Sequence, residues 1–250
     1  MKKILFSLLT LSGLLLAGCL ETTQEITIQE DGSGTLTSTN DMSAMLSVLK
    51  QMGGDKQAEE ADKSMDSTFS MKEIADSLPN LTEAQKEMIR KGSLRVIMNL
   101  DDEKFMTKVS LPFGTPADIS TCNTVSQKLM AESLKGKGEL PGAGEEGGMP
   151  ETKTFDDYYK LEFSNGLLVK TLDKEKFAGA AEDPYFKSIQ ETAAMGLTMK
   201  TTYVINLPRP AKTVEGKGIT LSEDRKKVTL SAELEDFLDE PSKLEFRIEY

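Results

Sequence analysis

Glu25-Ile26-Thr27-Ile28-Gln29-Glu30-Asp31-Gly32-Ser33-Gly34-Thr35-Leu36-Thr37-Ser38-Thr39 is the stretch that decides the fold class. Ile26 and Ile28 alternate with polar neighbours, and Thr35 to Thr39 is rich in β-branched residues that favour a pleated backbone. Between them lies a Gly-containing turn, so residues 25–39 read as a β-hairpin. The same signature recurs along the chain. Leu94, Val96, Met98 and Leu100 alternate on one side of Asp101–Glu103, and Phe105, Thr107, Val109 and Leu111 alternate on the other. Tyr159, Leu161 and Phe163 lead to Asn165-Gly166, which predicts a type I′ turn before the return over Leu167–Leu172. Further strands are expected over Met199–Leu207, Lys226–Ser231 and Lys243–Tyr250, the last with the cleanest alternation.

Helical periodicity is interspersed with these strands. Asn40 or Asp41 can cap a short helix carrying Met42, Met45, Leu49 and Met52, and residues 53–64 then read as a loop. Thr82-x-x-Gln85 matches a capping box for a helix closed by Gly92. Pro116 suits the first turn of a helix striped by Ile119, Cys122, Val125 and Leu129. Asp183-Pro184 opens another with Phe186, Ile189 and Ala193, ended by Gly196. Hairpins mixed with helices predict an α+β fold on an antiparallel β-sheet. Residues 25–134 and 154–250 form two halves of similar style, joined by a Gly- and Glu-rich linker over 135–153.

The N-terminus carries an address. Lys2 and Lys3 precede an apolar stretch from Ile4 to Leu16, too short for the ~20 residues of a spanning helix. It reads as the h-region of a secretory signal. Leu16-Ala17-Gly18-Cys19 completes it, and the whole resembles a bacterial lipoprotein signal peptide with its lipobox. That resemblance implies cleavage between Gly18 and Cys19, a diacylglyceryl thioether on Cys19 and acylation of the new amine by a chain such as palmitate. Two or three acyl chains anchor stably where one is marginal. Leu20 in place of Asp implies sorting to the outer membrane in a Gram-negative envelope. Residues 19–24 then form a lipidated tether, at most about 20 Å long at ~3.5 Å per residue.

Composition narrows the chemistry. The 250 residues include 41 Asp plus Glu against 30 Lys plus Arg, no His, no Trp and two Cys. Without His there is no Ser-His-Asp triad and no His-ligated metal. A net charge of −11 argues against nucleic acid as a partner, and removal of residues 1–18 with Lys2 and Lys3 takes it to −13. Cys122, on the apolar stripe of its helix, is expected to be a small buried hydrophobe. Ser47-Val48-Leu49-Lys50 matches S-x-x-K, but the companion S-D-N and K-T-G elements are missing. Asp31–Gly34 reads as a hairpin turn, and Asp101–Glu103 as a solvated one. The 13 Met suit irregular core filling or an adaptable apolar groove. No catalytic residue, metal or cofactor is assigned.

Ile26–Thr39 together with Tyr203-Val204-Ile205-Asn206-Leu207-Pro208-Arg209-Pro210-Ala211-Lys212-Thr213-Val214-Glu215-Gly216 is similar to the LppM-type envelope lipoprotein domain. That family opens with a strand–DGxG–strand hairpin and has a late strand ending in Leu-Pro or Phe-Pro. The resemblance implies an α+β domain on antiparallel sheet and transfers no site residues. The sequence therefore predicts a non-enzymatic envelope lipoprotein held at the membrane by Cys19, binding a protein partner or apolar lipid-like ligand there. The alternatives are an envelope hydrolase working through carboxylates alone and a purely structural assembly component.

Overall fold

The computed structural model describes residues 18–44, 64–77, 81–135, 155–184, 186–187, 190–191 and 197–250. Among them are twelve β-strands and five helices, in an α+β arrangement dominated by antiparallel pairing. The strands are β1 (Gly18–Ile28), β2 (Gly34–Asp41), β3 (Ser64–Ser70), β4 (Ser93–Asn99), β5 (Lys104–Phe113), β6 (Tyr159–Ser164), β7 (Leu167–Leu172), β8 (Leu197–Asn206), β9 (Thr213–Gly216), β10 (Ile219–Leu221), β11 (Lys227–Glu233) and β12 (Phe246–Glu249). The helices are α1 (Met71–Ser77), α2 (Glu83–Arg90), α3 (Ile119–Lys135), α4 (Lys174–Ala178) and α5 (Leu234–Asp239).

The large sheet has eight strands in the order β10-β11-β8-β1-β2-β5-β4-β3, and the small sheet has four in the order β6-β7-β12-β9. The founding hairpin forms as expected: Ile26 pairs with Leu36, and Gly32 turns the chain at φ 86°. Asp31 Oδ1 closes the turn by accepting from the Ser33 amide and hydroxyl. One face of the large sheet carries Ile26, Ile28, Leu36, Val109, Leu111, Ile205 and Leu230, all buried. Its other face is rich in hydroxyls, including Thr27, Thr35, Thr37 and Thr202, with Thr37 3.0 Å from Ser110 and Thr202 2.9 Å from Ser231. One buried and one wet face is the ordinary economy of an antiparallel sheet. Helix α3 covers β2 and β5 with Ile119, Cys122, Val125 and Leu129, all within 2 % of full burial. An aromatic nest closes the rest: Phe155, Tyr158, Tyr159, Phe177 and Phe186 ring the fully buried Phe237 at centroid distances of 4.5–6.4 Å.

Several expectations need correction. Residues 19–24 are strand rather than tether: β1 already pairs Cys19 with Thr198 in parallel, and Glu21 with Asp41 antiparallel. The missing partner was β8, almost 180 residues away in the sequence, which no local pattern could supply. The linker over 135–153 does not divide two sheets, because β8, β10 and β11 from the second half continue the sheet begun by β1–β5. Asn165-Gly166 is a two-residue turn, yet only Gly166 has positive φ (95°), which is the φ pattern of a type II turn. The turn is constrained from outside, since Gly166 O accepts from Tyr250 N at 3.0 Å. Lys243–Tyr250 is only partly strand: Pro241 starts a 3-10 turn that takes in Lys243 and Leu244 before β12. Of the helix expected over 42–52, Ser43 and Ala44 are helical, while Met45, Ser47, Leu49, Lys50 and Met52 lie outside the described residues. So do most of 53–64, the linker, Ile189, Ala193 and Gly196.

Candidate functional site

Leu16 and Ala17 of the expected lipobox lie outside the described residues, while Gly18 and Cys19 open β1. The backbone at Cys19 is therefore an integral part of the eight-stranded sheet, flanked at once by β8. No helix among the described residues is long and apolar enough to cross a membrane. Among the same residues no group of three or more His, Cys, Asp or Glu is placed to hold a metal ion.

Between the two sheets lies a polar constellation that sequence reading did not single out. Lys170 on β7 follows Leu168 on the inward face of its strand and is 1 % exposed. Its Nζ donates to Asp156 Oδ1 at 2.5 Å and to Tyr203 OH at 3.0 Å. Tyr203, on β8, donates to the same Asp156 oxygen at 2.6 Å. Asn123 on α3 donates to Asp156 Oδ2 at 3.1 Å. Lys170 Nζ also lies 4.6 Å from the Tyr159 ring centroid and 4.1 Å from that of Tyr203, within cation–π range. The four hydrogen-bonded groups come from β7, β8, α3 and the 3-10 turn Phe155–Tyr158, so the network ties every layer of the fold to one carboxylate.

Electrostatics follow from this burial. Loss of water pushes the Lys170 ammonium below its ordinary value, and the Asp156 charge and hydrogen bond oppose that push. An ion pair this deep stands because its hydrogen bonds replace those of water. The same cluster continues across the sheet: Gln24 pairs in register with Tyr203 and Ser38, and all three are buried. Gln24 Oε1 and Asn123 Oδ1 have no hydrogen-bond partner within the described protein. Asp156, Lys170 and Tyr203 bond to one another away from solvent, with these two orphaned acceptors beside them. The network registers two sheets and a helix against each other.

Cys122 is where its sequence context placed it, fully buried with Sγ 3.4 Å from Met88 Sδ. Burial, with a smaller contribution from Asp118, pushes its thiol up to about 12, so thiolate chemistry at neutral pH is suppressed. Asp101, Asp102 and Glu103 form an exposed turn stitched to Asn99, whose Oδ1 accepts from the Asp101 and Asp102 amides at 3.0 and 3.1 Å. The sequence signal that points to the buried network is parity. Lys170 stands on the apolar side of an alternating strand beside Leu168, and Gln24 stands on the side of Ile26 and Ile28.

The chain matches no protein-family model, no curated protein and no solved structure. Residues 26–39 and 203–216 meet in space, because β1 and β8 pair in parallel with Ile26 opposite Ile205.

Proposed function

We propose that this chain is a bacterial envelope lipoprotein, non-enzymatic, anchored through Cys19 and binding a protein partner or an apolar ligand beside the membrane. The observation that carries the proposal is Leu16-Ala17-Gly18-Cys19, set behind Lys2, Lys3 and the apolar run from Ile4. It gains support from the start of β1. Cleavage before Cys19 would remove Gly18 and leave the rest of the strand whole, so the residue that receives lipid is also the first residue of the body. Leu20 rather than Asp after Cys19 supports sorting to the outer membrane if the cell is Gram-negative. The binding role, as opposed to a catalytic one, fits a buried network in which Asp156, Lys170 and Tyr203 are bonded to one another.

Metabolic labelling with a radioactive fatty acid tests the anchor. Label is expected in the wild-type protein and absent from Cys19→Ala, with the variant kept at precursor length. Equal labelling of the two proteins sinks the proposal.

A further inference from the structure

An amine and a carboxyl group held in contact away from water are the two halves of an amide. Lys170 Nζ stands 2.5 Å from Asp156 Oδ1. With a C–O bond of ~1.23 Å, Nζ is no more than about 3.8 Å from Asp156 Cγ. That approaches the ~3–3.5 Å of a near-attack arrangement. The terminal torsion of an Asp is soft, so a small turn presents the face of the carboxyl to the amine.

The surroundings supply what condensation needs. Lys170 is 1 % exposed and Asp156 8 %, and the rings of Tyr159 and Tyr203 flank Nζ at 4.6 and 4.1 Å. Loss of water favours the neutral amine over the ammonium. Tyr203 touches both reacting groups, its hydroxyl lying 3.0 Å from Nζ and 2.6 Å from Asp156 Oδ1. Asn123 Nδ2 donates to the other carboxyl oxygen, Oδ2, at 3.1 Å. Oδ1 thus has a proton relay beside it and is the oxygen placed to leave. Oδ2 has a fixed donor and is the one placed to carry negative charge in a tetrahedral adduct.

We propose that Lys170 Nζ and Asp156 Cγ condense after folding into an intramolecular amide, with release of one water. A proton first passes from Nζ to Oδ1 along their hydrogen bond, leaving an amine and a carboxylic acid. The amine lone pair forms the Nζ–Cγ bond, and Oδ2 takes the charge under Asn123. Tyr203 gives its proton to Oδ1 and regains one from Nζ, the Cγ–Oδ1 bond breaks, and water leaves. Of the three ammonium protons, one stays on Nζ and two depart in the water. Groups already in contact react at an effective molarity far above that of free reactants. The neutral amide also removes the cost of keeping two charges out of water. The bond ties the turn Phe155–Tyr158 covalently to β7 and does not depend on the lipid anchor. The ion pair is the state of the newly folded chain, before condensation.

Trypsin reads the bond directly, because it does not cut after an acylated lysine. Purified full-length protein is incubated folded at neutral pH, then denatured, digested and weighed by mass spectrometry. The expected product is residues 154–160, which hold Asp156, joined to residues 161–174, uncut after Lys170 and lighter than the two together by one water. Its yield rises with incubation. Lys170→Arg and Asp156→Ala are expected to give none, and Tyr203→Phe to form it roughly a hundredfold more slowly. Wild type that unfolds cooperatively, yet releases 161–170 with an unmodified Lys170 after days of incubation, overturns the proposal without any variant having to fold. A linked product that instead holds residues 109–128 and is lighter by one ammonia makes Asn123 the acyl partner and overturns the assignment to Asp156. Equal rates in Tyr203→Phe and wild type overturn the relay.

Discussion

Lys170 concentrates the energetics of the fold in one residue. Its charge is fully enclosed and held by Asp156 and Tyr203, so removing the ammonium alone strands a buried carboxylate. Lys170→Met is expected to destabilise the protein by about 3–5 kcal/mol in chemical denaturation, while Lys170→Met with Asp156→Leu recovers most of the loss. Equal destabilisation by the single and double variants would show that the pair matters through shape rather than charge. The sign of the pH dependence also follows. Burial lowers the Lys170 pKa in the folded chain from its ordinary 10.5, so the unfolded chain binds this proton more tightly. Wild type should therefore gain stability relative to Lys170→Met as pH rises toward 10.5, the window in which the two states differ in bound protons. At this scale the sequence was partly legible. Cys122 declared its burial through the stripe it shares with Ile119 and Val125. Lys170 and Gln24 break the apolar parity of their strands, but a broken parity does not name a partner, and Asp156 arrives from a turn 14 residues before Lys170 in the sequence.

Two helices with strong local signals formed where those signals stood. Thr82 and Gln85 exchange both bonds of their capping box at 3.3 and 3.0 Å, and Ile119, Cys122, Val125 and Leu129 mark the inward stripe of α3. Elements without local signals were invisible. The strand β3 alternates only Met65 and Phe69 against polar residues, with Ser67 between them on the same face, and it becomes a strand because β4 offers an edge. Helix α5 is six residues long and exists to bury Leu234 and Phe237 in the aromatic nest. The founding hairpin can be tested at Gly34, where a Cβ would stand 2.0 Å from Thr27 O and 2.4 Å from the Phe113 ring. Gly34→Ala is expected to cost at least the ~1–3 kcal/mol of an overpacked core. Gly114→Ala, whose Cβ would meet nothing nearer than Asp118 at 3.6 Å, should stay within about 0.5 kcal/mol of wild type. Comparable midpoints for the two variants in urea would argue against the close β1–β2–β5 approach.

At the scale of the molecule, the α+β class was legible from hairpins and helices, whereas the way the halves interleave was not. Local alternation announces strands but leaves their neighbours open, and the parallel pairing of β1 with β8 joins segments from opposite ends of the chain. One consequence is that neither half completes the large sheet alone. Residues 19–134 expressed without 154–250 expose the flank of β1 that β8 covers, and are expected to lack a cooperative unfolding transition. Mixing the two pieces should restore it. A cooperative transition in 19–134 alone would mean that β8 is an accessory to the sheet rather than part of its centre.

That centre begins at Cys19, so in the proposed lipoprotein the sheet and the anchor share a residue. The direct check is the intact mass of protein extracted from the membranes of a producing bacterium. The expected result is a chain beginning at Cys19 with the added mass of a diacylglyceryl group, and a Cys19→Ser protein that keeps residues 1–18 and carries no lipid. An unmodified chain with a free thiol at Cys19, or one cut at any other residue, would contradict it.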